Sequence, residues 1–257
     1  MKTLSNKQIR WLRPAIILGA AICFLPFIGN LHLFDWDEIN FAEAAREMIV
    51  SGDYLTVQID YQPFWEKPPL FIYFQVISMK LFGIGEFAAR LPNALCGIFT
   101  LLILFEMGRK IYDYRFGLFW VLSYAGSWLP HFYFKSGIID PWFNVFIFLG
   151  IYFFVLFIKQ KEKSRKTLYI IYSAAAIGFG ILTKGPVALL LFGLTVLFFW
   201  LVRYFFRSPK QKREKPAETS FFHRPLFYPV SISLSQIVLY LAVVSFVGGF
   251  WFILQIM

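Results

Sequence analysis

Residues 34–48, FDWDEINFAEAAREM, and 62–69, QPFWEKPP, bound a charged, aromatic stretch that sits between long apolar runs. A segment this polar is costly to place in hydrocarbon, whereas runs of about 20 apolar residues are the length that crosses it. The contrast places residues 34–90 outside a membrane as a loop, with the flanking chain passing back and forth through it.

The rest of the composition agrees with that reading. Hydrophobic residues make up 58% of the 257, charged residues 16%, and Phe alone occurs 33 times. The mean hydropathy is +0.62. A soluble domain carries about 25% charged residues. The fold class that follows is all-α, a polytopic transmembrane helical bundle with interfacial helices in the first outer loop. There is no internal repeat, and no stretch long enough for a separate soluble domain, so residues 1–257 read as one unit.

The net charge of +10 raises nucleic acid as a partner. The basic residues gather instead in short runs between apolar segments: Lys2, Lys7, Arg10 and Arg13; Arg109, Lys110 and Arg115; Lys159 to Lys166; and Arg203 to Lys215. That is the pattern of cytoplasmic loops, and it excludes a nucleic-acid face. Cys23 and Cys96 lie inside apolar runs with no CxxC or Cys/His spacing, so neither a disulfide nor a zinc site of the finger type is expected.

In chain order, residues 14–33 read as an uncleaved first span with a cytoplasmic N-terminus. Asp37 is placed to cap a helix running to about Val50 and ended by Gly52. Phe41, Ala44, Ala45 and Met48 share its apolar face, with Glu43, Arg46 and Glu47 off it, as in a helix lying on a membrane surface. Pro68 and Pro69 fix an extended entry to a second interfacial helix, PLFIYFQVISMKLFG, too short to span. Six more spans follow, 91–107, 116–130, 141–158, 168–183, 187–200 and from about 230 onward, about seven in all. This topology puts 19 of the 25 Lys and Arg on the cytoplasmic side and 10 of the 15 acidic residues outside. The ending GGFWFILQIM has no polar tail or basic anchor, and the chain reads as the N-terminal part of a longer protein.

Ionisable groups at the outer ends of spans should face protein or water, which makes them site candidates. Asp35, Asp37 and Glu38 crowd three carboxylates into four residues and repel one another without a cation or partner. Glu66-Lys67 is either a surface ion pair or, stiffened by two prolines, a point charge for a lipid phosphate. Asp140 reads equally as a helix cap ahead of Pro141 and as a carboxylate at the outer rim. Lys184 in LTKGPVALL either reaches to the interface along its stem or meets a phosphate. His32 and His131 read as interfacial side chains rather than metal ligands.

Taken together, DEINFAEAAREMIVSGDYLT, PFWEKPPLFIYFQ, KLFGIGEFAARLPNAL, IIDPWFNVFIFLG and LTKGPVAL resemble, in order, the N-terminal half of bacterial membrane glycosyltransferases of the GT-C class. These are relatives of the protein O-mannosyltransferases and the lipid A aminoarabinose transferase. The resemblance implies transfer of a sugar, with inversion, from a polyprenyl-phosphate donor to a lipid, glycan or protein acceptor on the outer face of the bacterial inner membrane. It further implies Asp37 as the catalytic carboxylate, Lys67 as a donor-phosphate ligand, Glu66 as holder of a divalent metal ion of unspecified identity, and Asp140 as the second-loop acidic position. Glu38 and Lys184 complete the substrate-binding set. Two positions depart from the aminoarabinose branch, where Asn40 stands for an Arg and Phe64 for a Tyr. Two rival readings remain open on the residues alone: a transporter or flippase for a lipid-linked sugar, and an inactive truncated subunit.

Overall fold

A computed structural model describes residues 6–34, 36–205 and 232–256. The stretch 206–231, which holds most of the Arg203 to Lys215 basic run, and Asp35 lie outside the described residues. The chain divides into two compact units, Met1–Trp142 and Phe143–Met257.

The first unit is built on one long helix. It holds α1 (Asn6–Phe24), α2 (Trp36–Ser51), a two-residue hairpin of β1 (Gln58–Ile59) and β2 (Gln62–Pro63), α3 (Leu70–Phe82), α4 (Glu86–Ile111), α5 (Tyr114–Ala125) and α6 (Trp128–Phe134). Helix α4 packs against α1, α3, α5 and α6, and its apolar window is 67% buried. It starts earlier than expected, because the GEFAAR segment winds into its first turns instead of staying in the outer loop. Pro92 lies inside it, as spanning helices tolerate when neighbours satisfy the freed carbonyl.

Two other boundaries differ from the sequence expectation. Helix α1 ends at Phe24 rather than near Leu33, because Leu25 precedes Pro26 and Phe27 turns with φ +66°. The single span expected over 116–130 is two helices, broken where Gly126 closes α5 and Ser127, with extended backbone, opens α6. Twelve residues of α5 rise only about 18 Å, well short of a hydrocarbon core of about 30 Å.

Helix α2 carries the expected face inward: Phe41, Ala44, Ala45 and Met48 are all buried. Gly52 ends it at φ +74°, its N–H reaching the Met48 carbonyl at 3.1 Å. Glu47 was expected off the buried face, yet it is 1% exposed. Its Oε2 accepts from the Tyr61 N–H at 2.9 Å. That bond holds the hairpin turn, where Asp60 and Tyr61 both adopt positive φ. Helix α3 forms as expected and stops at Gly83, φ +87°.

The second unit contains most of α7 (Asp140–Lys159), then α8 (Lys163–Lys184), α9 (Val187–Phe205) and α10 (Leu234–Ile256). Its core joins Phe143, Ala174, Ile177, Ile181, Ala188, Phe192 and Val244. Small residues set the approach of α8 to α10, since a Cβ on Gly178 would lie 2.7 Å from the Val247 Cβ. Ser173 donates to the Gly150 carbonyl at 2.7 Å, tying α8 to α7.

Five described helices are long and apolar enough to cross a membrane: α4, α7, α8, α9 and α10. The chain is a multi-span membrane protein. Helix α1 has the length but carries Lys7, Arg10 and Arg13. Arg13 and Arg109, placed on one side of the membrane by charge alone, do meet. They share Glu106, with Arg13 Nε to Oε1 at 2.7 Å and Arg109 Nη2 to Oε2 at 2.7 Å.

Candidate functional site

The start of α2 brings the first two candidates into view. Helix α2 begins on Trp36, one residue before the expected cap, so Asp37 and Glu38 both lie in its first turn. There the exposed N–H groups favour negative charge. The two neighbours then diverge. Asp37 is half-buried, and among the described residues it has no hydrogen-bond or ion-pair partner. Glu38 is fully buried, and both of its oxygens are occupied.

Arg90 of α4 grips the Glu38 carboxylate bidentately, Nε to Oε1 at 2.8 Å and Nη2 to Oε2 at 2.9 Å. The Glu38 oxygens also accept from the Phe34 N–H at 3.0 Å and the Gly137 N–H at 2.5 Å. Arg90 spends its other donors on three carbonyls, those of Ile28 at 2.8 Å, Leu31 at 2.7 Å and His32 at 3.0 Å. Burying two charges is offset only where every donor and acceptor finds a partner, and the rigid guanidinium fork suits this geometry better than an ammonium would. Glu38 therefore faces protein, not an open pocket.

One turn further along α4, Asn93 extends the same cluster. Its Nδ2 donates to the Ser136 carbonyl at 2.6 Å and to the Ile138 carbonyl at 2.7 Å. From α3, Gln75 Nε2 donates to the Ala89 carbonyl at 3.0 Å. Gly137 sits in the middle, where a Cβ would come within 3.2 Å of both the Ala89 oxygen and Gln75 Nε2. The loop 135–139 is thus held through its backbone by Glu38 and Asn93. It leads directly into Asp140, half-buried in the first turn of α7. Three residues span at most about 10 Å, so Asp140 begins close to the clamp that follows Asp37.

Lys67 and Glu66 sit on the turn before α3. Pro68 and Pro69 are buried, Lys67 is half-buried and Glu66 is exposed. Neither Glu66 nor Lys67 has a partner among the described residues, so the local ion pair weighed from the sequence is not formed. Lys67 presents a cation on a stiff, anchored backbone. Around it, the first loop is braced by short-range bonds. The Asp53 carboxylate accepts from the Leu55 N–H at 2.9 Å and the Thr56 N–H at 3.1 Å, and these bonds, Leu55 first, hold it below the usual carboxylate range. Arg46 bonds Glu43 at 2.9 and 2.5 Å and lowers the Glu43 carboxyl likewise.

Lys184 belongs to the second unit, in the last turn of α8 before Gly185, φ +77°. Its ammonium lies 5.6 Å from the Phe143 ring centroid, a cation–π contact. His131 Nε2 lies 2.8 Å from the Ala125 carbonyl, and His32 Nδ1 lies 3.2 Å from Glu86.

For a metal, the donor set around Glu66 is poor. Among the described residues no three His, Cys, Asp or Glu side chains converge, and a lone exposed carboxylate does not make a divalent-ion site.

Sequence reasoning missed Arg90, Asn93 and Gln75. Arg90 left one signal, an arginine within the apolar run that follows KLFG, which calls for a partner. Nothing in the sequence indicated that Glu38 was that partner.

Comparison with known proteins bears on the same segments. Residues 66–232 match the family described as dolichyl-phosphate-mannose-protein mannosyltransferase, starting at the Glu66-Lys67 pair. An undecaprenyl phosphate-alpha-4-amino-4-deoxy-L-arabinose arabinosyl transferase of Edwardsiella ictaluri is 29% identical over 182 residues, 70% of this chain and 33% of the relative. An uncharacterised protein of Aquifex aeolicus is 28% identical over 199 residues, 76% of this chain and 38% of its own length. The crystal structure of ArnT from Cupriavidus metallidurans bound to undecaprenyl phosphate superposes with a TM-score of 0.75 at 24% identity, covering 95% of this chain and 41% of that one. Its apo form gives 0.76. The chain thus spans between a third and about two fifths of the length of these relatives. With the family match running over more than half of its residues, from the Glu66-Lys67 turn through α9, the chain belongs to the dolichyl-phosphate-mannose-protein mannosyltransferase family.

Proposed function

We propose that this chain forms the N-terminal portion of an inverting glycosyltransferase of the bacterial inner membrane, with its N-terminus cytoplasmic. It moves a sugar from a polyprenyl-phosphate donor to a lipid, glycan or protein acceptor on the outer face. The observation that carries this reading is the family match beginning at Glu66-Lys67, where a cation with no partner among the described residues stands on a proline-stiffened turn.

In this reaction the acceptor oxygen attacks the anomeric carbon of the sugar, and the bond from that carbon to the phosphate oxygen breaks. The bonding pair leaves with the polyprenyl phosphate. Lys67 stabilises the charge that develops there, as a preorganised cation does in a dry site. If the acceptor is a hydroxyl, its proton passes to the half-buried Asp37 carboxylate. If the acceptor is itself a phosphate, Asp37 orients it. Asp140 and Lys184 serve substrate binding at the ends of α7 and α8.

Sugar transfer from a polyprenyl-phosphate donor, measured in native membranes, tests this directly. Asp37→Asn is expected to lower kcat at least 100-fold for a hydroxyl acceptor, within the range of general-base contributions. Lys67→Gln is expected to raise the donor KM and lower kcat together, by about 10-fold or more in kcat/KM, the worth of one hydrogen bond to a charged group. Equal turnover in wild type and Asp37→Asn would remove Asp37 from the chemistry. Donor movement across vesicles without transfer would replace the enzyme by a transporter.

A further inference from the structure

The Glu38–Arg90–Asn93 cluster does more than fill a core. Apart from the two bonds of the Glu38–Arg90 pair its hydrogen bonds run to backbone, and that backbone belongs to the two loops that lead into the candidate carboxylates. Glu38 follows Asp37 and receives the Phe34 and Gly137 amides. Asn93 receives no loop donor, but holds the carbonyls on either side of Gly137. Arg90 fastens the 28–32 segment that leads into α2. A buried pair needs such contacts to offset its desolvation, and because here they come from two separate loops, the same bonds also register one loop against the other.

We propose that Glu38, Arg90 and Asn93 are positioning residues that lock the 135–139 loop against the start of α2, so that Asp140 and Asp37 are presented together at the outer end of the first unit. None of the three touches substrate. Lys67 stands on a turn that none of the three residues bonds, so the lock governs the arrangement of the carboxylates and leaves donor-phosphate capture alone. The kinetic consequence rests on the function proposed above, while the lock itself does not.

The charge-swapped double variant Glu38→Arg with Arg90→Glu separates pairing from locking. It restores an ion pair, yet places a guanidinium where the Gly137 and Phe34 amides need an acceptor, and a carboxylate where the 28–32 carbonyls need donors. In hydrogen exchange on the protein in detergent, the amides of 136–139 are expected to exchange at least 10-fold faster than in wild type. Protection in the middle of α4 should be kept. In the transfer assay kcat is expected to fall at least 10-fold, with the donor KM within about threefold of wild type. Recovery of both wild-type protection at 136–139 and wild-type kcat in the swap would overturn the proposal, because a simple ion pair would then suffice.

Should the swap fail to fold, Asn93→Ala decides, since it leaves the Glu38–Arg90 pair intact and frees the Ser136 and Ile138 carbonyls. The same faster exchange and the same selective loss of kcat are expected. Unchanged exchange at 136–139 in this variant would overturn the lock. If wild type transfers no sugar at all, the proposed function fails, and the exchange measurement still decides the lock by itself.

Discussion

The two units of this chain solve the problem of packing helices in opposite ways. In Met1–Trp142 the buried polar residues include Glu38, Glu47, Gln75, Ser78, Arg90, Asn93, Thr100 and Ser136, whereas Phe143–Met257 buries Ser173, Thr183 and Arg203 among the described residues. The second unit is held by apolar contact and small residues, with Phe192 stacked on Tyr240 at 5.5 Å and Gly178 against Val247. Apolar packing tolerates small displacements. A network of charges and amides in a low-dielectric interior does not, because each lost partner leaves a desolvated group behind. Precision is therefore concentrated in the unit that carries Asp37, Lys67 and Asp140.

The largest effect that would break this contrast is expected for Arg90→Ala. It leaves the fully buried Glu38 carboxylate without its countercharge, a change that costs about 3–5 kcal/mol in buried pairs. Folded yield in detergent should collapse, and a melting temperature within a degree or two of wild type would show that water reaches the cluster. In the second unit the corresponding weak point is steric. Gly178→Val forces α8 away from α10, at about 1–3 kcal/mol for an overpacked contact, and should lower the melting temperature less than Arg90→Ala does. If it costs more, the apolar unit is the more exacting of the two.

The smallest effect concerns pH. The Arg46 hydrogen bond holds the Glu43 pKa below its ordinary value of 4.5. A carboxylate with a depressed folded-state pKa contributes stability that is complete above the unfolded value and is lost as pH falls through the folded one. Melting of wild type should thus decline as pH drops below about 4.5, and the wild-type advantage over Glu43→Gln should shrink over the same range. The pair is a third exposed on each side, so the difference at neutral pH should be under about 1 kcal/mol. A constant offset between the two across that range would show that Glu43 does not titrate through this bond.

Much of the architecture is legible in the sequence because it depends on composition and spacing. Bilayer-length apolar runs give α4 and α7 to α10, and the 3.6-residue period gives the buried face of α2. Gly52 and Gly83 mark helix ends because both need positive φ. The misplaced boundaries have local causes that compete with hydropathy. A Gly126-Ser127 pair splits an apolar run that looks continuous, and a charged GEFAAR segment becomes helical because its Arg90 is neutralised inside the protein. The candidate site was legible only in part. Asp37, Lys67 and Asp140 could be picked out by charge near span ends, but Glu38 looked the same as Asp37.

That pair of adjacent carboxylates at the head of the 34–48 stretch states the division clearly. The sequence by itself determined that the stretch is too polar to cross hydrocarbon, that α2 buries Phe41, Ala44, Ala45 and Met48, and that Lys67 stands before two prolines, since each follows from polarity, periodicity or backbone restriction. Only the tertiary structure decided that Glu38 turns inward to Arg90 and Gly137 while Asp37 has no partner among the described residues. Those partners lie 52 and 99 residues away along the chain, and no local property of two neighbouring acids distinguishes the one that folding will bury.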